Sequence, residues 1–184
     1  MARLNVLGGD PSLRNWGIAA GNYDTETKEL NISALRVTRA EVPTGKQVRQ
    51  NSKDLLVAQQ LYEGMQPFLG RVNVMFMEVP VGSQSARGSL ASGVCIGVLG
   101  SLRANDCTFI EVTPNEVKLA TVGSKTASKA EMIAWAMATF PNAPWPYHNG
   151  KINAGLAEHM ADACAAIVAG IRTNEFKQLA AMLR

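Results

Sequence analysis

The chain has 184 residues, enough for one domain with a sizeable core. Hydrophobic residues make up 47% and charged residues 18%, which excludes a disordered or fibrous chain. The formal net charge of +3 permits a polyanionic partner without demanding one.

Leu4 to Ala20 (LNVLGGDPSLRNWGIAA) holds an apolar run that ends on Asp10 and a second that begins at Gly17. Gly8 and Gly9 allow close backbone approach, and Asp10-Pro11-Ser12 is turn chemistry, so the stretch is expected to form two strands joined by about five residues. Asp10 then either caps the turn or presents its carboxylate at a strand end. Tyr23 to Lys28 is a polar turn, and Leu30 to Thr38 alternates as a third strand. Gly45 to Leu69 spaces Val48, Leu55, Leu56, Leu61, Tyr62 and Phe68 mostly as one helical face, closed by Gly70.

Val72 to Val79 (VNVMFMEV) is nearly continuous apolar sequence, as in a strand covered on both faces. Glu78 near its end either reaches water at an edge or meets a charged partner, because burying it alone is costly. Gly82 to Asn105 begins as a polar loop and becomes a helix rich in small residues. Gly93, Gly97 and Gly100 each cost about 1 kcal/mol relative to Ala inside a helix, so this helix is expected to pack closely on the sheet or on a second subunit. Cys107 to Val112 is the next strand, and Thr113-Pro114-Asn115 opens a short helix carrying Lys118.

Gly123 to Lys129 is expected to be a flexible basic loop, with Ser128 capping a helix Lys129 to Phe140 that has Glu131 in its first turn. Phe140 to Gly150 (FPNAPWPYHNG) contains three prolines and is neither helix nor central strand; its aromatic residues either touch a partner or fold back on the body. The segment from Ala154 reads as one long helix. The order is three strands, helix, strand, helix, strand, then helices, a mixed sheet with helices on its faces.

Basic residues gather in two segments, Arg36, Arg39, Lys46, Arg49 and Lys53, then Lys118, Lys125 and Lys129. Cys95, Cys107 and Cys164 form no CxxC pair, and the odd count argues against a disulfide framework. Small hydrophobic packing is their expected role. With no signal-peptide pattern and no uninterrupted apolar run near 18 residues, a cytoplasmic protein is expected.

In AEHMADACAAIV, Asp162 lies four residues after Glu158 and three after His159, so either shares a helix face with it. The face continuing from Asp162 carries Ala165, Ala166 and Ala169, which points Asp162 toward the protein body. Asp10, Glu78 and Asp162 plus one neighbour make a donor set for hard divalent cations. Two such ions about 3.5–4 Å apart activate water and stabilise the leaving oxygen in phosphodiester cleavage.

GGDPSLRNWG, FMEVP, VKLATVGSKTASK and EHMADACAA, in that order, resemble the motifs of the RuvC family of Holliday-junction resolvases in the RNase H-like nuclease superfamily, from about Leu4 to Ile171. The resemblance implies an α/β fold with a mixed five-stranded sheet, three antiparallel strands then parallel ones, flanked by helices, over residues 1–184 as a single nuclease domain. It implies a homodimeric endonuclease that nicks four-way junction DNA symmetrically with Mg²⁺ or Mn²⁺, two ions per site, in the cytoplasm of a bacterial or phage-infected cell. The implied metal-binding residues are Asp10, Glu78 and Asp162 with His159 as fourth ligand; Glu158 is the rival, or a group that orients His159. Lys118 and Lys129, eleven residues apart as the family's basic residues are, are implied to contact phosphate or stabilise developing charge. Where family members can carry an aromatic residue shortly after the second acidic residue, this chain has Val81. Two alternatives keep the DNA partner, a nuclease for branched DNA in general and a junction-binding protein without nuclease activity.

Overall fold

A computed structural model describes residues 3–44 and 48–183. The apolar run before Asp10 forms β1 (Arg3–Asp10), which turns through residues 11–14 into antiparallel β2 (Asn15–Asp24), with Asp10 opposite Gly17. The return strand begins two residues before the apolar run at Gly17, because a four-residue turn suffices. β3 (Leu30–Arg39) completes the antiparallel half. β4 (Val74–Glu78) then lies parallel to β1, and β5 (Thr108–Val112) parallel to β4, in the order β3-β2-β1-β4-β5. This is the mixed five-stranded sheet expected from the sequence.

Among the described residues six α-helices flank it: α1 (Gln50–Met65), α2 (Ala86–Arg103), α3 (Pro114–Thr121), α4 (Lys129–Thr139), α5 (Ala154–Gly170) and α6 (Asn174–Met182). Strand alternation sends Val6, Phe76 and Ile110 to a core shared with α5, and Leu7, Trp16, Met75 and Met77 to a second core shared with α1 and α2. Capping boxes at Thr113/Glu116 and Ser128/Glu131 start α3 and α4, the latter at the expected cap. Asp54 on α1 receives both guanidinium nitrogens of Arg87 at the start of α2, at 2.7 and 2.8 Å, a bidentate tie between these helices that the sequence did not disclose. That guanidinium holds the Asp54 carboxyl below its ordinary value.

α5 is buried through Ala157, Ala161, Ala163, Ala165 and Ala166, and its backbone rests on the glycines of the first hairpin. A Cβ at Gly8 would lie 2.1 Å from the Ala163 carbonyl oxygen, and one at Gly17 2.0 Å from that of His159. Gly17→Ala is therefore expected to force α5 off the sheet, destabilising the protein by about 3 kcal/mol, as overpacked sites do. Denaturant unfolding checks this; an unchanged midpoint would refute the backbone-on-backbone packing.

Two expectations need correction and two are narrowed. The helix expected from Gly45 to Leu69 is described from Gln50 and ends at Met65, where a 3-10 turn at Gln66–Phe68 accommodates Pro67 and Gly70 reverses the chain at φ +72°. Gly45 and Lys46 lie outside the described residues. The single long helix from Ala154 is two, bent by 67°. Thr173 caps α6, and Phe176 packs edge-on against Tyr23 and Phe76 at 5.3 Å. Of the two surfaces expected for the α2 glycines, the sheet is not the one they meet, since Gly93, Gly97 and Gly100 have nothing within 4 Å of where a Cβ would be. The connection from Phe140, neither helix nor central strand as expected, ends in a short two-stranded ribbon of its own, β6 (Tyr147–His148) and β7 (Lys151–Ile152). Among the described residues no single helix is long and apolar enough to cross a membrane.

Candidate active site

In the parallel pairing of β1 and β4, Gly9 is matched with Met77, so the next residues, Asp10 and Glu78, sit side by side at neighbouring strand ends. They share a face with Val6 and Phe76, the face covered by α5. The N-terminal half of α5 lies over this edge, its His159 backbone against Gly17, which pairs with Asp10. Three elements far apart in sequence thus deliver Asp10, Glu78, His159 and Asp162 to one edge of the sheet.

His159 Nδ1 and Asp10 Oδ2 are 2.9 Å apart, and both side chains are only 15% exposed. The hydrogen bond to Asp10 raises the imidazole pKa above its ordinary value, against the opposing effect of burial. Glu158 Oε1 lies 3.5 Å from His159 Nε2 and accepts a 3.0 Å hydrogen bond from Lys129 Nζ, which raises the lysine pKa. Burial, then the charges of Asp10 and Asp162, push Glu78 up to about 8, and Lys118 only partly offsets them. Burial and the Asp10 charge push Asp162 up to about 7, with His159 and Lys118 opposing. Lys118, one of the two lysines singled out in the sequence, therefore does reach the field of the carboxylates from α3.

Among the described residues no three His, Cys, Asp or Glu side chains form a group already set to hold a metal ion. The donor set nevertheless fits one. Glu78 and Asp162 are carboxylates partly withdrawn from water, and burial followed by the charge of Asp10 disfavours the negative form of each. Hard oxygen donors plus one imidazole suit a divalent cation, which would relieve that repulsion.

The rim carries further cations. Arg14 lies in the turn after Asp10, its carbonyl oxygen accepting from Ala40 N at 3.3 Å, and Arg39 pairs with Asn15 at the same end of β3. Both are exposed, as are Arg36, Arg49, Lys125 and Lys129. Arg14 was not singled out in the sequence, although its place four residues past Asp10 was the available signal. Cys95 and Cys164 are buried and Cys107 is half-buried, all three free, in keeping with packing roles.

No protein-family model matches the sequence. Solved structures do match the fold. Thermus thermophilus RuvC in complex with a Holliday junction substrate superposes with a TM-score of 0.61 at 16% identity, over 88% of this chain and 92% of that one. The fowlpox virus Holliday junction resolvase superposes with a TM-score of 0.55 at 12% identity, over 90% of this chain and 96% of that one. This chain has the RuvC-type, RNase H-like fold. At such identities the likeness lies in the backbone fold.

Proposed function

We propose that the chain is a divalent-metal-dependent endonuclease that resolves four-way DNA junctions by paired, symmetric nicks. The observation that carries this reading is the convergence of Asp10, Glu78, Asp162 and His159 at one edge of a RuvC-type sheet, with the field of Lys118 upon them. The T. thermophilus and fowlpox proteins of the same fold are described as structures with junction DNA. Asp10, Glu78, Asp162 and His159 are the proposed ligands of two Mg²⁺ or Mn²⁺ ions. Such ions supply charge stabilisation and an acidified water for in-line displacement.

The chain's own groups divide the remaining work. Asp10 orients His159 through the 2.9 Å contact. The contacts of Glu158 with both Lys129 and His159 favour an orienting role for it over a ligand role. Lys118 and Lys129 balance the scissile phosphate, while Arg14 and Arg39 neutralise neighbouring phosphates along the strand. Residues 1–184 act as one nuclease domain, on DNA in the cytoplasm of a bacterial or phage-infected cell.

A junction with two-fold symmetry calls for two sites, and we assign a homodimer to supply them. The open glycine face of α2 supports it, as does an adjoining groove of about 700 Å³ between α1 and α2, lined by Leu55, Leu90 and Val94. Leu55 is 72% exposed, a large apolar side chain that a second copy would cover.

The test is cleavage of a mobile four-way junction beside linear duplex, flap and single-stranded controls, with and without Mg²⁺. Paired nicks at symmetry-related positions, requiring metal, are expected. Binding without cutting in either Mg²⁺ or Mn²⁺ would replace the nuclease with a junction-binding protein. Equal cutting of every branched substrate would leave a nuclease that is not a resolvase.

A further inference from the structure

Three exposed arginines, Arg14, Arg39 and Arg49, belong to the end of the molecule that carries the carboxylates. Asp10 pairs with Gly17 and Gly17 with Val37, and Arg39 follows Val37 by two residues. Arg39 therefore lies on the face of the sheet that carries Asp10, two strand spacings or about 10 Å away. Arg14 stands between them in the turn from β1 to β2, held through its carbonyl oxygen to Ala40 N.

Topology and contacts together place Arg49. β3 ends at the Asp10 end of the sheet, while β4 starts at the opposite end with Val74 beside Val6, so α1 runs back from the first end to the second. Gly64 lies against Thr38, and one turn earlier in α1 Gln60 exchanges two 2.8 Å hydrogen bonds with the backbone of Glu41. From Gln60 back to Gln50 is about 15 Å of helix, which carries the start of α1 past the end of β3. The two contacts of Arg87 with Asp54 anchor that start to the beginning of α2, which follows Glu78 by eight residues.

Arg49 does not serve the helix it precedes. It holds the N-cap position without a side-chain cap hydrogen bond, no acidic residue follows in the first turn, and a cation at this terminus opposes the helix dipole. Its charge is not used elsewhere either. Among the described residues Arg87 and Arg103 are in ion pairs with carboxylates, whereas Arg14, Arg39 and Arg49 are not. Glu41, exposed between Arg39 and α1, is a carboxylate on the same route. Unneutralised guanidiniums that continue outward from the carboxylates suit a polyanion extending well beyond one phosphate.

We infer that the start of α1 is a second DNA contact outside the catalytic site, in which the Arg49 guanidinium binds backbone phosphate of a duplex arm leaving the carboxylates over Arg14 and Arg39. This rests on the reading of the chain as a junction nuclease. The experiment measures junction affinity over a range of salt for the full chain carrying Asp10→Asn, so that DNA stays intact. It compares that parent with the same chain carrying Arg49→Ala, Arg49→Lys, Glu41→Gln or Lys177→Ala. Lys177 is a control of equal charge, exposed on α6 beside Tyr23, which pairs with Leu4 at the far end of the sheet.

Arg49→Ala is expected to lower the slope of log affinity against log salt by about 0.9, one phosphate contact, and Arg49→Lys to keep it. Glu41→Gln should move affinity the other way, tightening binding about two-fold. Arg49→Ala should melt no lower than the parent, because the charge it removes opposes the helix, so lost affinity will not be lost fold. A slope unchanged by Arg49→Ala would overturn the inference. So would equal effects of Arg49→Ala and Lys177→Ala, which reduce it to net charge, and so would a loss of affinity that comes with altered sedimentation, which gives Arg49 to the contact between copies. A parent with no preference for junction over duplex would instead overturn the reading beneath it.

Discussion

Asp10→Asn is expected to lower junction cleavage by about 10³-fold or more, the scale on which single electrostatic groups at a reacting phosphate or carbonyl act, while junction binding stays within several-fold. Asp10 is the group most contacted by the others: it hydrogen-bonds His159 at 2.9 Å, and its charge presses on both Glu78 and Asp162. Asparagine keeps the shape and an acceptor for His159, so the fold should hold. It removes the negative charge that the proposed cations need. It also relieves Glu78 and Asp162, so the metal-free variant should melt no lower than wild type at pH 8. A folded, DNA-binding variant that cannot nick is the expected combination. Residual cleavage within ten-fold of wild type, measured by single-turnover assay, would remove Asp10 from the site.

The second large effect is on stability. Glu78 and Asp162 have folded-state pKa values of about 8 and about 7, against ordinary values of 4.5 and 3.8. Between those limits the folded protein holds protons that the unfolded chain releases, so stability falls as pH rises through this window and levels off above about pH 8. His159 works in the same direction. Its raised pKa contributes stability that is fully present below 6.5 and lost as pH climbs through the folded value. Metal-free protein is thus expected to melt at a lower temperature at pH 8 than at pH 5.5.

Glu78→Gln should recover about 2 kcal/mol at pH 8, a fraction of its shift because Asp10 and Asp162 still repel each other. That corresponds to roughly 4–8 °C for a chain of this size. Added Mg²⁺ should raise the melting temperature of wild type more at pH 8 than at pH 6, and that of Glu78→Gln much less. Calorimetry in chelator and in Mg²⁺ reads both. A wild-type midpoint that is flat from pH 5.5 to 8.5 would mean the carboxylates do not repel as described.

Most of the sheet and the four grouped residues were legible in the sequence. Local pattern carries strand and helix identity, and the i,i+3 spacing of His159 and Asp162 is already a statement about one helix face. The bent C-terminal helix pair was not legible, because the hydrophobic pattern runs on through Ile171 while Thr173 and the Phe176 contacts break the helix. The ribbon was hidden for a different reason. Three prolines suppressed any strand reading, although Asn149-Gly150 is a hairpin turn signal that stood in plain view.

The sequence by itself determined the order of the five sheet strands and of the helices between them, the cap of α4, and which carboxylates end strands, because these follow from alternation and turn chemistry within a few residues. Only the tertiary structure decided that Gly8 and Gly17 are contact points for α5, that Glu158 leans on Lys129, that Arg87 ties α2 to Asp54, and that the α2 glycines face outward. Each of these depends on backbone approach or on side chains meeting across long sequence separation. No local pattern encodes such distances.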